Sequence, residues 1–384
     1  MTSLERMMAA IRGEPFDRYP VVNPYPGWSM MPHWPKLAGL TFLHVDVGSD
    51  EQRLRCHRAF HETLGMDLMP IPWGPTGQDQ RYRIETGDGA CPGTWTETPF
   101  PLFRVEIATG KRIRVDQYPI DLPVTKPGFT SAREVEALPP PATADQIVGG
   151  RGMARKVVAE FGGRVFLMMG EMSPFAKCFY KQGFDALYQA LLDDPALLHA
   201  LLERHTEELV QTAKAMKRLG VHGMRVNEWP AGAELISEKH YLEFVFPYTQ
   251  RVFRAMREQG LVTILEYLGW VEPRLKHIAR LEVDCLQTES SMKGYRNDVG
   301  EMRKVLGEKV CIFGNSPILR VIEEGDEAVW RQDAVEQARG VGRQRRYAIC
   351  AGSPTTWNTG PARLRRFGEF MREVLPGLVP PLKP

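Results

Sequence analysis

No long apolar run, no paired cysteines and no field of one charge occur in these 384 residues. A membrane span needs about 18 consecutive apolar residues, and none of the runs approaches that. The six cysteines (Cys56, Cys91, Cys178, Cys285, Cys311, Cys350) lie far apart, with no Cys-x-x-Cys, which excludes a zinc ribbon or a dithiol redox centre. Lys and Arg number 49 against 47 Asp and Glu, interspersed to a net charge of +2, so neither nucleic acid nor an anionic membrane is an expected partner. Neither a Gly-x-Gly-x-x-Gly turn nor a Gly-x-x-x-x-Gly-Lys-Ser/Thr loop is present, so no common nucleotide-binding sheet is signalled. Residues 1–17 carry Glu5, Arg6, Arg12, Glu14 and Asp17 with no continuous apolar segment. They argue against a secretory signal and for a cytoplasmic protein.

What is present is regular alternation. Apolar strand-like runs fall at 165–169, 224–226, 262–265, 283–287, 309–313 and 347–350, with two earlier ones at 19–22 and 66–71. Amphipathic helices are predicted between them at 195–219, 238–259, 299–306 and 326–341, after earlier ones at 4–12 and 50–64; Thr2 to Glu5 reads as a capping box. Eight such units predict parallel strands with crossover helices, an α/β (β/α)8 TIM-type barrel forming a single domain over 1–384. Residues 24–35, rich in Gly, Pro and Trp, are expected to be one long loop. Residues 78–125 change character: 82–85, 94–97 and 105–107 alternate, and Thr109-Gly110 sits where a chain would reverse, so an inserted β-ribbon is predicted. The run Leu138-Pro139-Pro140-Pro141 marks a linker. His57 and His61 share a helix face at metal-ligand spacing, but no third ligand stands nearby, and no metal is expected there.

In such a barrel the residues just after each strand gather at one mouth. Those are Glu171, then Asn227-Glu228-Trp229, Glu266, Glu289, Asn315 and Ser353. Glu266 stands out: Thr263-Ile264-Leu265-Glu266 is an apolar run ending in a lone acid, with Gly269 to turn the chain. Four carboxylates and two amides converging on one pocket would make an acceptor-rich site. At least one carboxyl would then titrate high unless an Arg or a cationic ligand compensates.

Several short motifs recur in a fixed order: Ser173-Pro174-Phe175 with Gly183-Phe184; Asn227-Glu228-Trp229-Pro230-Ala231-Gly232 with Leu235-Ile236-Ser237; Phe246-Pro247-Tyr248; Glu266-Tyr267-Leu268-Gly269; Phe313-Gly314-Asn315; and Ala351-Gly352-Ser353. In order and spacing they resemble the uroporphyrinogen decarboxylase superfamily, which also contains the corrinoid-dependent methyltransferases. The resemblance covers about residues 160–375, and 4–71 more loosely, and implies a distorted (β/α)8 barrel. True decarboxylases carry an Arg-rich first-loop segment for their substrate's carboxylates, whereas Asn23 to Met31 here contains no arginine. Thiol-using methyltransferases of the superfamily hold zinc through a His-x-Cys pair and a late Cys. Here those positions read Glu266-Tyr267-Leu268 and Ser353, with Cys350 three residues upstream as the other candidate, so zinc is not expected.

The resemblance therefore implies a branch that moves a methyl group between a corrinoid and tetrahydrofolate. The cobalamin would ride on a separate corrinoid carrier protein, since no carrier motif occurs in this chain. Glu266, Glu228 and Glu289 are the candidate catalytic acids. Asn227, Asn315, Glu171, Trp229, Tyr180 and Ser353 are the candidate substrate-binding residues. A pterin edge of adjacent N–H donors suits carboxylate and amide acceptors. The alternatives are decarboxylation of a tetrapyrrole, or a non-catalytic barrel binding a small ligand. Trp28, Trp34 and Trp95 are candidates to seal a homodimer or the pocket.

Overall fold

The computed structural model describes residues 1–24, 30–72, 74–88, 100–115, 128–291, 294–353, 355–356 and 358–379. Its centre is an eight-stranded sheet in the order β1-β11-β10-β9-β8-β7-β6-β2. The strands are β1 Val21–Val22, β2 Leu68–Pro70, β6 Phe166–Met172, β7 Gly223–Asn227, β8 Val262–Tyr267, β9 Cys285–Thr288, β10 Cys311–Phe313 and β11 Tyr347–Cys350. All neighbouring pairs are parallel. The Asp67 N–H donates to the Val21 carbonyl at 2.8 Å, drawing β1 and β2 together at the seam. The expected α/β barrel is thus the observed fold, with one strand from each predicted run.

Inward-pointing residues of alternate phase fill the lower barrel: Leu68, Phe166, Met168, Ile264, Cys285, Cys311, Phe313, Ala348 and Cys350 form one buried cluster. The helix Ser3–Arg12 closes that end with Met7 and Ile11, and its start is set by the predicted Thr2–Glu5 capping box. Residues of the opposite phase, such as Val226, Leu265, Tyr267 and Leu286, join the larger core between strands and helices. The helices Asp50–Leu64, Pro195–Leu219 and Val299–Leu306 fall where their periodicity puts them.

Three expectations need correction. The stretch 238–259 is not one α-helix: a π-turn, Tyr241–Val245, separates Glu238–His240 from Phe246–Glu258. Pro247, which has no N–H and clashes with the preceding turn, sits at the start of the second segment. Residues 24–35 are not a continuous loop, because a 3-10 turn, Met31–His33, leads into the helix Trp34–Ala38. Pro32 and Pro35 occupy first-turn positions where no N–H is needed. Trp34 is buried in the core rather than exposed, while Trp28 and Trp95 lie outside the described residues.

The inserted ribbon is a separate antiparallel sheet of β3 Tyr82–Thr86, β4 Leu102–Glu106 and β5 Arg112–Arg114. It reverses at Gly110, which adopts φ 70°. The predicted 94–97 strand lies outside the described residues. No helix among the described residues is long and apolar enough to cross a membrane.

Candidate active site

At the C-terminal end of the barrel, strand phase decides which side chains face inward. Asn227, Glu266 and Gln287 are register partners on β7, β8 and β9. Two residues lower on β7, Arg225 points the same way. Around the fully buried Glu266 carboxylate three donors close in. Arg225 Nη1 and Asn227 Nδ2 each lie 2.5 Å from Oε2, and Ser353 Oγ donates to Oε1 at 2.7 Å. A lone buried carboxylate would be costly; an ion pair with added charge-assisted hydrogen bonds offsets the desolvation. Arg225 has room because Gly170 on β6 lacks a side chain: a Cβ there would come within 2.7 Å of Nη2.

Glu289 reaches the same rim. Its Oε2 accepts from the Gly269 N–H at 2.9 Å and the Tyr295 hydroxyl at 2.6 Å. Its backbone bridges to Ser353, the residue that touches Glu266. Asn315 does not join Glu266. Its amide donates to the Asn297 carbonyl at 2.6 Å and Thr288 Oγ1 at 3.2 Å, riveting the loops after β9 and β10. Beside it opens a cavity of about 290 Å³ lined by Asn297, Arg320, Asp333 and Gln337. Burial pushes the Asp333 carboxyl up to about 6, against hydrogen bonds from Ser316 and Gln337.

The expected convergence of four carboxylates does not occur. Glu171 pairs in register with Val226, the outward phase, and meets Lys177 at 3.3 Å in the helix layer. Its carboxyl is raised by burial, partly opposed by Lys177. Glu228, one residue beyond the inward Asn227, turns outward as well. There it accepts from Thr249 Oγ1 at 2.6 Å and the Tyr241 hydroxyl at 3.1 Å. Burial raises it to about 7, opposed by those two hydrogen bonds and by Arg274.

Trp229 is half-buried; its backbone N–H donates to Asn227 Oδ1 at 3.0 Å and its ring centroid lies 4.6 Å from that of Phe179. Tyr180 also packs on Phe179 and is 46% exposed, near the 50% exposed Phe184. These rings make an aromatic border beside the Asn227 segment.

Sequence reasoning missed Arg225 and Gln287. The signal for Arg225 was available, since a lone arginine two residues before Asn227 in an apolar strand shares that residue's phase. Nothing in the sequence sets Gln287 apart from the end of its strand.

The positions that hold zinc in thiol-using members of the superfamily do not fit it here. Glu266 is engaged by Arg225, Asn227 and Ser353, and Leu268, at the cysteine position of the pair, has an apolar side chain that cannot ligate a metal. Cys350 is buried among the apolar floor residues. Burial pushes its thiol far up, the nearby Glu266 charge adding to the effect. Among the described residues no group of three His, Cys, Asp or Glu side chains is placed to hold a metal. His61 packs edge-on against Phe161, with ring centroids 5.8 Å apart, and burial lowers His57 to about 4.

Comparison with known proteins agrees with this architecture. A solved methyltransferase from Methanosarcina mazei shares the fold with a TM-score of 0.70 at 18% identity, over 97% of this chain and 99% of that one. A methylcobamide:CoM methyltransferase of Methanosarcina mazei is 22% identical over 325 residues, 84% of this chain and 85% of the relative. A methylated-thiol–coenzyme M methyltransferase of the same organism is 23% identical over 206 residues, so this chain spans about half of that relative, 53%. A uroporphyrinogen decarboxylase of Anaeromyxobacter dehalogenans is 26% identical over 159 residues, 41% of this chain and 43% of that protein. Residues 105–374 match the family pattern described as uroporphyrinogen decarboxylase (URO-D). With most of its length matched in this way, the chain belongs to the uroporphyrinogen decarboxylase (URO-D) family.

Proposed function

We propose that this protein is a cytoplasmic methyltransferase that moves a methyl group between a corrinoid and a small acceptor such as tetrahydrofolate. The observation that carries the reading is Glu266. It is inward-facing, ion-paired to Arg225 and hydrogen-bonded by Asn227 and Ser353, at the position where thiol-using relatives keep a soft metal ligand. An oxygen- and amide-lined centre suits a nitrogen acceptor whose ring edge offers N–H donors better than it suits a thiolate. The resemblance to methylcobamide-dependent methyltransferases supports the corrinoid as the other reactant.

The corrinoid, held by a carrier protein, supplies the methyl group as an electrophile. This chain's residues bind and orient the acceptor and take up the proton its nitrogen loses. Among the described residues Glu266 Oε1 accepts one hydrogen bond, from Ser353, which leaves a lone pair for that proton or for an acceptor N–H. The short, fixed links to Arg225 and Asn227 hold the carboxylate in place, which favours a defined acceptor pose. Glu289 is a second acceptor at the rim. Tyr180, Phe184 and Trp270, which is 38% exposed, offer apolar contact to the carrier.

The test is methyl transfer from methylcobalamin to tetrahydrofolate, to 2-mercaptoethanesulfonate and, in parallel, turnover of coproporphyrinogen. Transfer to tetrahydrofolate that falls about 100-fold or more in Glu266→Gln is expected. Undiminished transfer in a folded Glu266→Gln protein, or tetrapyrrole turnover instead, overturns the reading.

A further inference from the structure

Five polar side chains stand together above the apolar barrel floor: Arg225, Asn227, Glu266, Gln287 and Ser353. Four of them are joined around one carboxylate. Gln287 is fully buried and in register with Glu266, yet its Oε1 has no hydrogen-bond partner among the described residues. Among the described residues its Nε2 reaches only the Cys350 sulfur, at 3.8 Å, a weak acceptor. A buried amide carbonyl left unpaired is destabilising, and native folds keep such groups mainly where a water, an ion or a ligand completes them.

We infer that Gln287 is a specificity-determining residue whose Oε1 receives an N–H of the acceptor, selecting molecules with a donor-bearing ring edge over thiolates. The inference rests on the reading that the barrel mouth takes a small acceptor. It goes further by naming the group that distinguishes acceptor classes. A thiolate carries no N–H to complete this carbonyl, whereas the guanidine-like edge of a pterin carries several. Glu266 lies beside Gln287 in the same register row, so one ligand edge with adjacent donors can span both oxygens. If the amide instead presented its NH₂ group inward, the preferred ligand atom would be an acceptor, and variants separate these two cases.

Titration calorimetry on the full chain with tetrahydrofolate, and with 2-mercaptoethanesulfonate as the thiol probe, tests this alongside thermal unfolding. Gln287→Met conserves volume and removes the amide. It should bind tetrahydrofolate about tenfold more weakly, the size of one buried hydrogen bond, while its Tm stays the same or rises. Thiol binding should not change. Gln287→Glu should retain tetrahydrofolate binding at a pH high enough to ionise both carboxyls, where it can only accept; its loss there with a folded protein means the ligand atom is an acceptor and overturns the proposed class. Wild-type affinity in Gln287→Met, a lowered Tm showing that the amide is satisfied within the fold, or no tetrahydrofolate binding by the wild type each overturns the inference. Binding without methyl transfer overturns the proposed reaction and leaves the selection by Gln287 standing.

Discussion

Arg225 Nη1 lies 2.5 Å from the Glu266 carboxylate, and both side chains are buried inside the barrel wall, one strand apart. Removing one member of such a pair strands the other charge, at a cost of roughly 3–5 kcal/mol, whereas replacing both with apolar residues is far milder. Arg225→Met should therefore destabilise strongly in urea unfolding, and Arg225→Met with Glu266→Met together should regain most of that loss. If the double variant is no more stable than the single one, the two residues are not the coupled pair described.

Gly170 tests the same pair from a neighbouring strand. A Cβ at that position would sit 2.7 Å from Arg225 Nη2, the movable end of a long side chain. Gly170→Ala should cost only about 1–3 kcal/mol, the usual range for overpacking, yet reduce methyl transfer by displacing the guanidinium from Glu266. Full activity in this variant would mean that the geometry of the pair is unimportant.

Ser353→Ala deletes the hydroxyl that donates to Glu266 Oε1 at 2.7 Å. A hydrogen bond to a charged group contributes about 1.5–3 kcal/mol. A drop in kcat of about tenfold or more with KM little changed is expected if Ser353 orients the carboxylate. A change confined to KM would make it a binding contact instead.

Glu228 gives a pH signature. Its folded carboxyl is raised by burial to about 7 from the ordinary 4.5, so between those values the folded chain binds more protons than the unfolded one. The stability that Glu228 contributes then falls as pH rises through that window, by an amount on the order of 3 kcal/mol. Asp333, raised to about 6, adds a smaller fall in the same direction. Glu228→Gln, which keeps one acceptor oxygen and removes the titration, should lose this fall, so that its stability at pH 8 relative to pH 5 rises above the wild type's in denaturant melts; lowered histidines such as His57 contribute the opposite trend below pH 6.5 in both proteins. An unchanged slope would place the titration elsewhere.

Cys350→Ala separates a floor residue from a metal ligand. The thiol is buried against the apolar floor with a weak contact to the Gln287 amide, so the change should cost stability modestly and leave methyl transfer within a few-fold. Strong chelators should likewise leave the rate unaltered. Abolished activity in either experiment would restore a thiolate-metal role.

Much of this architecture was legible because it rests on local signals. The helices Asp50–Leu64, Pro195–Leu219 and Val299–Leu306 follow from apolar spacing and from end residues such as Gly65 and Gly220, both in the left-handed region. The break at Tyr241–Val245 was not legible, since apolar spacing runs through it and only Pro247 hints at a change. In the site, Glu266 was found from its place at the end of an apolar run, while Arg225 was passed over within one.

By itself, the sequence determined the number and order of the barrel strands, the ribbon between them and the delivery of acids to one end, because each depends on near neighbours in the chain. Only the tertiary structure decided which acids enter the barrel. The central strands are buried on both faces, so their composition carries no inside-outside alternation, and a shift of one residue reverses every side chain. That phase sends Asn227 and Glu266 inward to Arg225 and Ser353, and turns Glu228 and Glu171 outward to the helices.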